Sequence, residues 1–529
     1  MAQGVFLGID VGSASVRAGL FDQSGQRLAF AVRAIEQFHP RPLFVEQSST
    51  NIWQETCSAV REAVLSAGIA PSQILAIGVD ATCSLVAVGA PGQPVSVAEN
   101  NDPQHDIIMW MDHRAATQTR ALNATGDEAL AYVGGEISIE MELPKVLWLK
   151  ENFPERYAAT QRFFDLADYL VWRACDADIA SVCTLTCKWN YLAHENRFSK
   201  PLLDAVNLGD LLDKIPPVVL PLGSAAGKLS EKAAAELGLA AGTTVATGIL
   251  DAHAGGLALV STVPNGNLAL ICGTSNCHMA VSPQPINVPG VWGPYYGAML
   301  PDYWLAEGGQ SAAGALLDWT LRQSDAWPLL EATAKTENRN IYAVLNDWLA
   351  DLETREPYPT RHLHVLGDHH GNRSPRANPA ARGAIIGLTL EQGPDALARL
   401  YLATLQAIAY GTRHIIESMN AAGHHIERIV MCGGGTKNPY WLRENADATG
   451  CTIHLVSEED AVTLGAALLG AVACGAFASM PQAAEKMVRP GGSFPARAAT
   501  RAFHDAKYAI YLQLYQDMER CRSAMSAWS

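Results

Sequence analysis

Positive charge is scarce in this chain. Its 38 Lys and Arg stand against 53 Asp and Glu, a formal net charge of −15, and no stretch gathers the basic residues into a cluster. Gripping a nucleic-acid backbone draws on such clusters, so nucleic acid is excluded as a partner, while a small anion held by backbone amides and a metal ion is not. Paired cysteines are also missing. The 11 cysteines are scattered singly, among them Cys57, Cys83, Cys175, Cys183, Cys187 and Cys272, with no C-x-x-C spacing of a structural zinc site. They read as reduced core thiols. Long single-sign charge blocks are absent, which excludes general disorder. One stretch, 461–480, passes 20 residues without a charge, but Ala, Gly and Ser dominate it. That composition fits a tightly packed buried helix rather than a membrane span. Near Met1 there is neither a basic segment nor the cleavage site of a secretory signal, so a cytoplasmic location is the expectation.

What is present is a long, apolar-rich chain. Its 529 residues, 49% of them hydrophobic, predict two to four domains with sizeable cores, at roughly 150 residues per domain. The chain opens with an apolar run at 5–9, a turn from Asp10 to Ser15, a second strand at 16–21 and a third at 26–32. Helical periodicity at 52–67 and an apolar strand at 74–79 then alternate as in a layered α/β domain. The theme returns at 268–275, an apolar strand entering a Gly and hydroxyl turn, with a return strand at 278–281. Gly12 and Gly273 lie 261 residues apart, close to half the chain. A duplicated α/β domain with a ligand cleft between the copies is the expectation. A polar, breaker-rich loop covers 367–375. The chain closes in an amphipathic helix at 502–521, with Phe503, Ala506, Ile510, Leu514 and Met518 on its apolar side.

Three turns could carry chemistry. In Gly8-Ile9-Asp10-Val11-Gly12-Ser13 a carboxylate ends a buried strand and backbone amides follow, so Asp10 either caps the turn or holds a hydrated divalent ion beside phosphate oxygens. Gly273-Thr274-Ser275-Asn276 offers a second set of amides and hydroxyls, suited to terminal phosphates. The third, Cys432-Gly433-Gly434-Gly435-Thr436-Lys437-Asn438, stands between a strand at 426–431 and a helix from Pro439, where glycines let a ring or sugar approach the backbone. Other phosphate motifs fail: Gly223 to Leu229 is one residue short of a P-loop, and no G-x-G-x-x-G follows a predicted strand. Asp251, after a strand at 244–249, either caps a helix or accepts the proton of an attacking hydroxyl. His253 reads as a packed or hydrogen-bonded histidine, with no second His or carboxylate at metal spacing.

In this order, the first turn, Trp110-Met111-Asp112-His113-Arg114, Gly248-Ile249-Leu250-Asp251-Ala252, Gly273-Thr274-Ser275 and Gly433-Gly434-Gly435 resemble the FGGY carbohydrate kinases over essentially the whole chain. Gly78 to Ser84, Pro144 to Asn152 and Glu307 to Ala312 look like the ribulokinase branch, D-ribulokinase-like members above all. The resemblance implies an α/β fold of two actin-like, ribonuclease H-type domains, 1–262 binding sugar and 263–529 binding nucleotide, with sugar and MgATP meeting in the cleft. It implies that Asp10 positions Mg2+ within the Asp10, Gly12 and Ser13 turn. Gly273 and Thr274 would contact the phosphates of ATP, Gly434, Gly435 and Asn438 would line the adenosine site, and Asp251 would be the general base. Ala81 or Thr82, Asp112, Lys188 and Glu307 would hold a pentulose. Taken alone, Lys188 is a cation beside an aromatic and Glu307 an exposed acid. Ser13 stands where the family usually has Thr. The segment 140–145 lacks the hydroxyl residue that the family places before the Lys, which leaves Glu140 as its pocket candidate. The expected reaction is ATP-dependent phosphorylation of D-ribulose to D-ribulose 5-phosphate. L-ribulose, D-xylulose, a tetrulose or glycerol as acceptor and an actin-like ATPase switch are the alternatives. The family often forms dimers, and no sequence patch marks an interface for a homodimer.

Overall fold

The computed structural model describes residues 4–528; Met1 to Gln3, at the start of the segment read for a secretory signal, and Ser529 lie outside it. Two large sheets carry the two halves. In the first, the order is Ala225–Lys228, Thr244–Ala246, Ile74–Ala81, Val5–Val11, Ser15–Asp22, Arg27–Ala34, with Ile249–Leu250 also pairing on Ile74–Ala81. In the second, it is Trp292–Tyr296, Trp304–Gln310, Asn276–Ser282, Asn267–Cys272, Arg428–Gly433, Thr452–Val456, Pro490–Phe494. Val5–Val11 pairs antiparallel with Ser15–Asp22 and parallel with Ile74–Ala81, and Asn267–Cys272 repeats this with Asn276–Ser282 and Arg428–Gly433. The duplication expected from the turns is therefore a duplication of sheet topology. Every residue of Val5–Val11 is buried, as a central strand covered on both faces must be.

The halves interlock through two helices. Ala461–Ala473 follows the second sheet in sequence but lies on the first sheet, so closely that a Cβ on Gly78 would stand 1.7 Å from Ala466 O and one on Gly8 would stand 2.0 Å from Thr463 O. Only glycine admits that approach. Asp251–Val260 follows the first sheet and packs on the second, with Gly255 against Ile271 and Cys432. One buried apolar cluster consequently runs through both halves, from Phe6 to Leu257, Ala269, Met279 and Leu464.

The buried-helix reading of 461–480 is realised as Ala461–Ala473, followed by a separate helix Met480–Met487. Among the described residues, no helix is long and apolar enough to cross a membrane. The near P-loop at 223–229 is the edge strand Ala225–Lys228. The closing helix spans Arg501–Ala524, but its buried face is His504, Lys507, Tyr508, Tyr511 and Leu514, not the expected Phe503, Ala506 and Ile510 stripe. Polar-tipped residues bury their stems there and satisfy their tips. Lys507 Nζ donates to Thr360 O at 2.6 Å and Leu363 O at 2.8 Å, and Tyr508 Oη donates to Glu417.

Candidate active site

The three turns sit at the carboxyl ends of parallel strands, the edge at which open α/β sheets bind ligands. Asp10 ends Val5–Val11 and lies in register with Asp80 on Ile74–Ala81. Both are buried. Arg17 Nη1 donates to Asp10 Oδ2 at 2.6 Å, while Asp10 Oδ1 and both Asp80 oxygens lack hydrogen-bond partners. Burial pushes the Asp10 carboxyl up to about 7 against the pull of Arg17, with Asp460 and Asp251 adding to the rise. Burial and then Asp10 push Asp80 well above the carboxylate range. A cluster of this kind, with orphaned buried oxygens, has the donor set of a hard divalent cation. Gly12 N donates to Ser15 O at 3.0 Å, and Ser13 Oγ accepts from Trp110 Nε1 at 3.0 Å.

In the second turn Gly273 N donates to Ser275 O at 2.9 Å, and Thr274 O accepts from Ala313 N at 2.9 Å and Ala315 N at 3.1 Å. Gly273 and Thr274 are exposed, which leaves the turn's outer surface open to a ligand. The third turn, Gly434–Lys437, is a single helical turn after Arg428–Gly433. A Cβ on Gly434 would meet nothing within 4 Å, whereas one on Gly435 would stand 2.9 Å from Trp441. Asn438 caps Pro439–Thr449 through Tyr440 N and donates to Tyr401 Oη at 2.6 Å.

Asp251 is the first residue of Asp251–Val260, and Leu250 holds the cap position without a side-chain bond, so the capping alternative for Asp251 does not hold. Its Oδ1 accepts from the adjacent Ala252 N at 2.7 Å. Burial raises its carboxyl above the usual range; that amide and Lys188 pull the other way. Lys188 ends the helix Val182–Lys188 with its ammonium 4.6 Å from the Trp292 ring centroid. Burial works against its charge, yet the field of Glu307 carries it well above the lysine range. Glu307, on Trp304–Gln310, is buried rather than exposed, and Lys188, His253 and Arg373 hold it low against the effect of burial. The pair therefore stays ionised inside the cleft. Glu307 comes from the second sheet, so the pocket draws on both halves.

The remaining pocket candidates stand farther back. Ala81 is a fully buried sheet residue, and Thr82 N donates to Val11 O at 2.9 Å. Asp112 is fully buried, accepting from Val45 N at 2.6 Å and from the Arg114 guanidinium at 2.7 Å. It locks the turn that carries Trp110. Glu140 accepts from Arg373 Nη2 at 3.0 Å, a contact between the first half and the 367–375 loop of the second.

Asp80 and Arg373 escaped the sequence reading. Asp80 had a signal: Gly78-Val79-Asp80 repeats Gly8-Ile9-Asp10, a glycine under the interlocking helix followed two residues later by a carboxylate at the strand end. Arg373 had none, since its partner lies 233 residues away.

Residues 5–258 match the N-terminal domain of the FGGY family of carbohydrate kinases, and residues 268–474 match its C-terminal domain. The chain belongs to the FGGY family of carbohydrate kinases. This FGGY kinase is 43% identical over 540 residues to a human FGGY carbohydrate kinase domain-containing protein, with 98% of each chain covered. It is 37% identical over 513 residues to a D-ribulokinase of Saccharomyces cerevisiae, covering 88% of this chain and 72% of that one. The crystal structure of a xylulose kinase from Rhodospirillum rubrum superposes with a TM-score of 0.81 at 22% identity, covering 98% of this chain and 99% of that one. Membership makes the protein an ATP-dependent sugar kinase.

Proposed function

We propose that this kinase transfers the γ-phosphoryl group of ATP to the 5-hydroxyl of D-ribulose, giving D-ribulose 5-phosphate and ADP in the cytoplasm. The carrying observation is the likeness to the yeast D-ribulokinase over 88% of the chain. The pocket agrees with it: an ionised Lys188 and Glu307 pair beside Asp251 offers both a donor and an acceptor to a polyhydroxylated ligand. Asp251 accepts the hydroxyl proton, and burial, by raising its affinity for protons, makes it a stronger base than an ordinary carboxylate. Gly273 and Thr274 hold the phosphates, Gly434 and Gly435 line the adenosine site, and Asn438 holds that site's helix in place. Asp112 and Ala81 shape the pentulose pocket from behind, with Thr82 at its rim. Residues 1–262 thus bring most of the sugar site and 263–529 the nucleotide site, joined by Glu307. Asp10 and Asp80 would hold Mg2+, which would neutralise charge on the phosphates.

A coupled ADP-release assay with MgATP against D-ribulose, L-ribulose, D-xylulose, erythrulose, ribitol and glycerol tests this. D-ribulose is expected to give the highest kcat/KM. A higher value for another acceptor reassigns the substrate, and ATP hydrolysis indifferent to every sugar turns the reading to an ATPase switch.

A further inference from the structure

Cys183 and Cys187 lie four residues apart on Val182–Lys188, so their thiols share one helix face. His253, on the interlocking helix Asp251–Val260, meets them there. Its Nε2 is 3.5 Å from Cys187 Sγ, and the two Sγ atoms and one imidazole nitrogen all lie within 4.8 Å of one another. All three residues are buried, and among the described residues no other set of three His, Cys, Asp or Glu side chains converges in this way. A zinc ion with Zn–S near ~2.3 Å and Zn–N near ~2.0 Å places neighbouring ligand atoms about 3.5–3.8 Å apart, so the set closes on one by a contraction of up to about 1 Å.

Two further observations point to a ligand. His253 Nδ1 is buried without a hydrogen-bond partner. Glu307 Oε2 is buried without a hydrogen-bond partner and faces the same Nε2 at 3.5 Å. It stands outside the group of three, where it can approach a fourth coordination position or leave that position to water.

We infer that Cys183, Cys187 and His253 form a binding site for a thiophilic d10 cation, Zn2+ as the type, and that its occupation inhibits the kinase. Two thiol protons leave to solvent as the ion enters, and two sulfur pairs and one nitrogen pair fill its coordination sphere. Inhibition follows from the neighbours, and this part rests on the proposed function. Cys187 adjoins Lys188, His253 lies two residues from Asp251, and Glu307 faces the imidazole. A dication there competes with Lys188 for Glu307 and ties the base-bearing helix to the sugar-binding helix.

Co2+ titration of the reduced full-length protein tests the site without reference to turnover. A thiolate-to-cobalt charge-transfer absorbance is expected to saturate at one equivalent, to disappear on adding Zn2+, and to be lost in Cys183→Ser and in His253→Gln. Co2+ at Asp10 and Asp80 gives no thiolate band. An absorbance equal to wild type in both variants, each shown folded by circular dichroism, overturns the site, as does its absence from wild type. In the ADP-release assay, Zn2+ is expected to lower wild-type turnover about tenfold or more while Cys183→Ser, with metal-free turnover within about twofold of wild type, resists it. A band lost in the variants with turnover insensitive to Zn2+ overturns the inhibition alone. Failure of every sugar as acceptor overturns the proposed function and leaves the cobalt spectrum to decide the site.

Discussion

Asp251 and Asp460 stand at matching places in the two halves, each at the start of the helix that crosses to the other half, Asp251 directly after Ile249–Leu250 and Asp460 after Thr452–Val456. Their surroundings differ by one position. Asp460 is the cap residue of Ala461–Ala473: its Oδ1 accepts from Thr463 N at 3.1 Å and from Thr463 Oγ1 at 3.0 Å, and its Oδ2 lies 3.9 Å from Arg17 Nε. Asp251 is one residue inside its helix, and Leu250 takes the cap position. A duplicated fold thus presents two acids at the cleft. The shift of one residue commits Asp460 to the cap of its helix and leaves Asp251, the proposed base, bonded through Oδ1 to the adjacent Ala252 N.

The sharpest way to break this comparison is to remove each acid in turn. Asp251→Asn is expected to lower kcat about 10²- to 10⁴-fold with sugar binding retained, because it removes a general base without changing shape. ADP release and a sugar titration followed by tryptophan fluorescence check it, and turnover within about tenfold of wild type would refute the base. The same carboxyl predicts the pH profile. Burial raises it, so the basic form is lost as pH falls through a value above the ordinary carboxylate range. The acid limb of kcat/KM is therefore expected above that range in wild type.

The next largest effect probes the interlock itself. Gly78→Ala drives a Cβ to 1.7 Å from Ala466 O, a backbone atom that cannot step aside. It is expected to cost about 1–3 kcal/mol in urea unfolding. Gly255→Ala, on the reciprocal helix, meets side-chain atoms instead, Ile271 and Val462 at 3.2 and 3.3 Å and Cys432 at 3.9 Å. Repacking and the better helix propensity of alanine offset each other there, so a change within about 1 kcal/mol is expected. Equal losses at the two sites would show that the approach is symmetric.

Asp460→Ala is expected to cost about 1 kcal/mol through the lost cap while turnover stays within about tenfold. A collapse of turnover with unchanged stability would move Asp460 from capping into the chemistry. Gly434→Ala is the mildest: a Cβ there meets nothing within 4 Å, so the melting temperature is expected to hold while KM for ATP rises and KM for sugar does not. Equal rises in both would place Gly434 outside the nucleotide site.

Much of the fold was legible locally. Apolar runs interrupted by Gly and hydroxyl turns announce strand, turn and strand at Asp10 to Ser15 and at Gly273 to Ser275, because backbone conformation responds to nearest neighbours. The closing helix was legible as a helix but not in its buried face, since Lys507 and Tyr508 are buried only when Thr360, Leu363 and Glu417 are there to receive their polar tips. Glu307 likewise reads as a surface acid until Lys188 faces it.

By itself, then, the sequence determined the two Gly-rich strand turns and the Ala and Gly helix at 461–473, properties of residues within a few positions of one another, and the acidic balance and the order of the family motifs, which are read along the whole chain without reference to any contact. Only the tertiary structure decided that this helix lies on the opposite half's sheet, that Asp80 joins Asp10, that Asp251 rather than Asp460 is left uncommitted, and that Cys183, Cys187 and His253 converge. The helix on the sheet, the pairing of Asp80 with Asp10 and the meeting of His253 with the two cysteines are contacts between residues tens to hundreds of positions apart, and the Asp251 and Asp460 difference appears only once the helix starts are set. The energy of each contact depends on burial and on partners that exist only once the chain has closed.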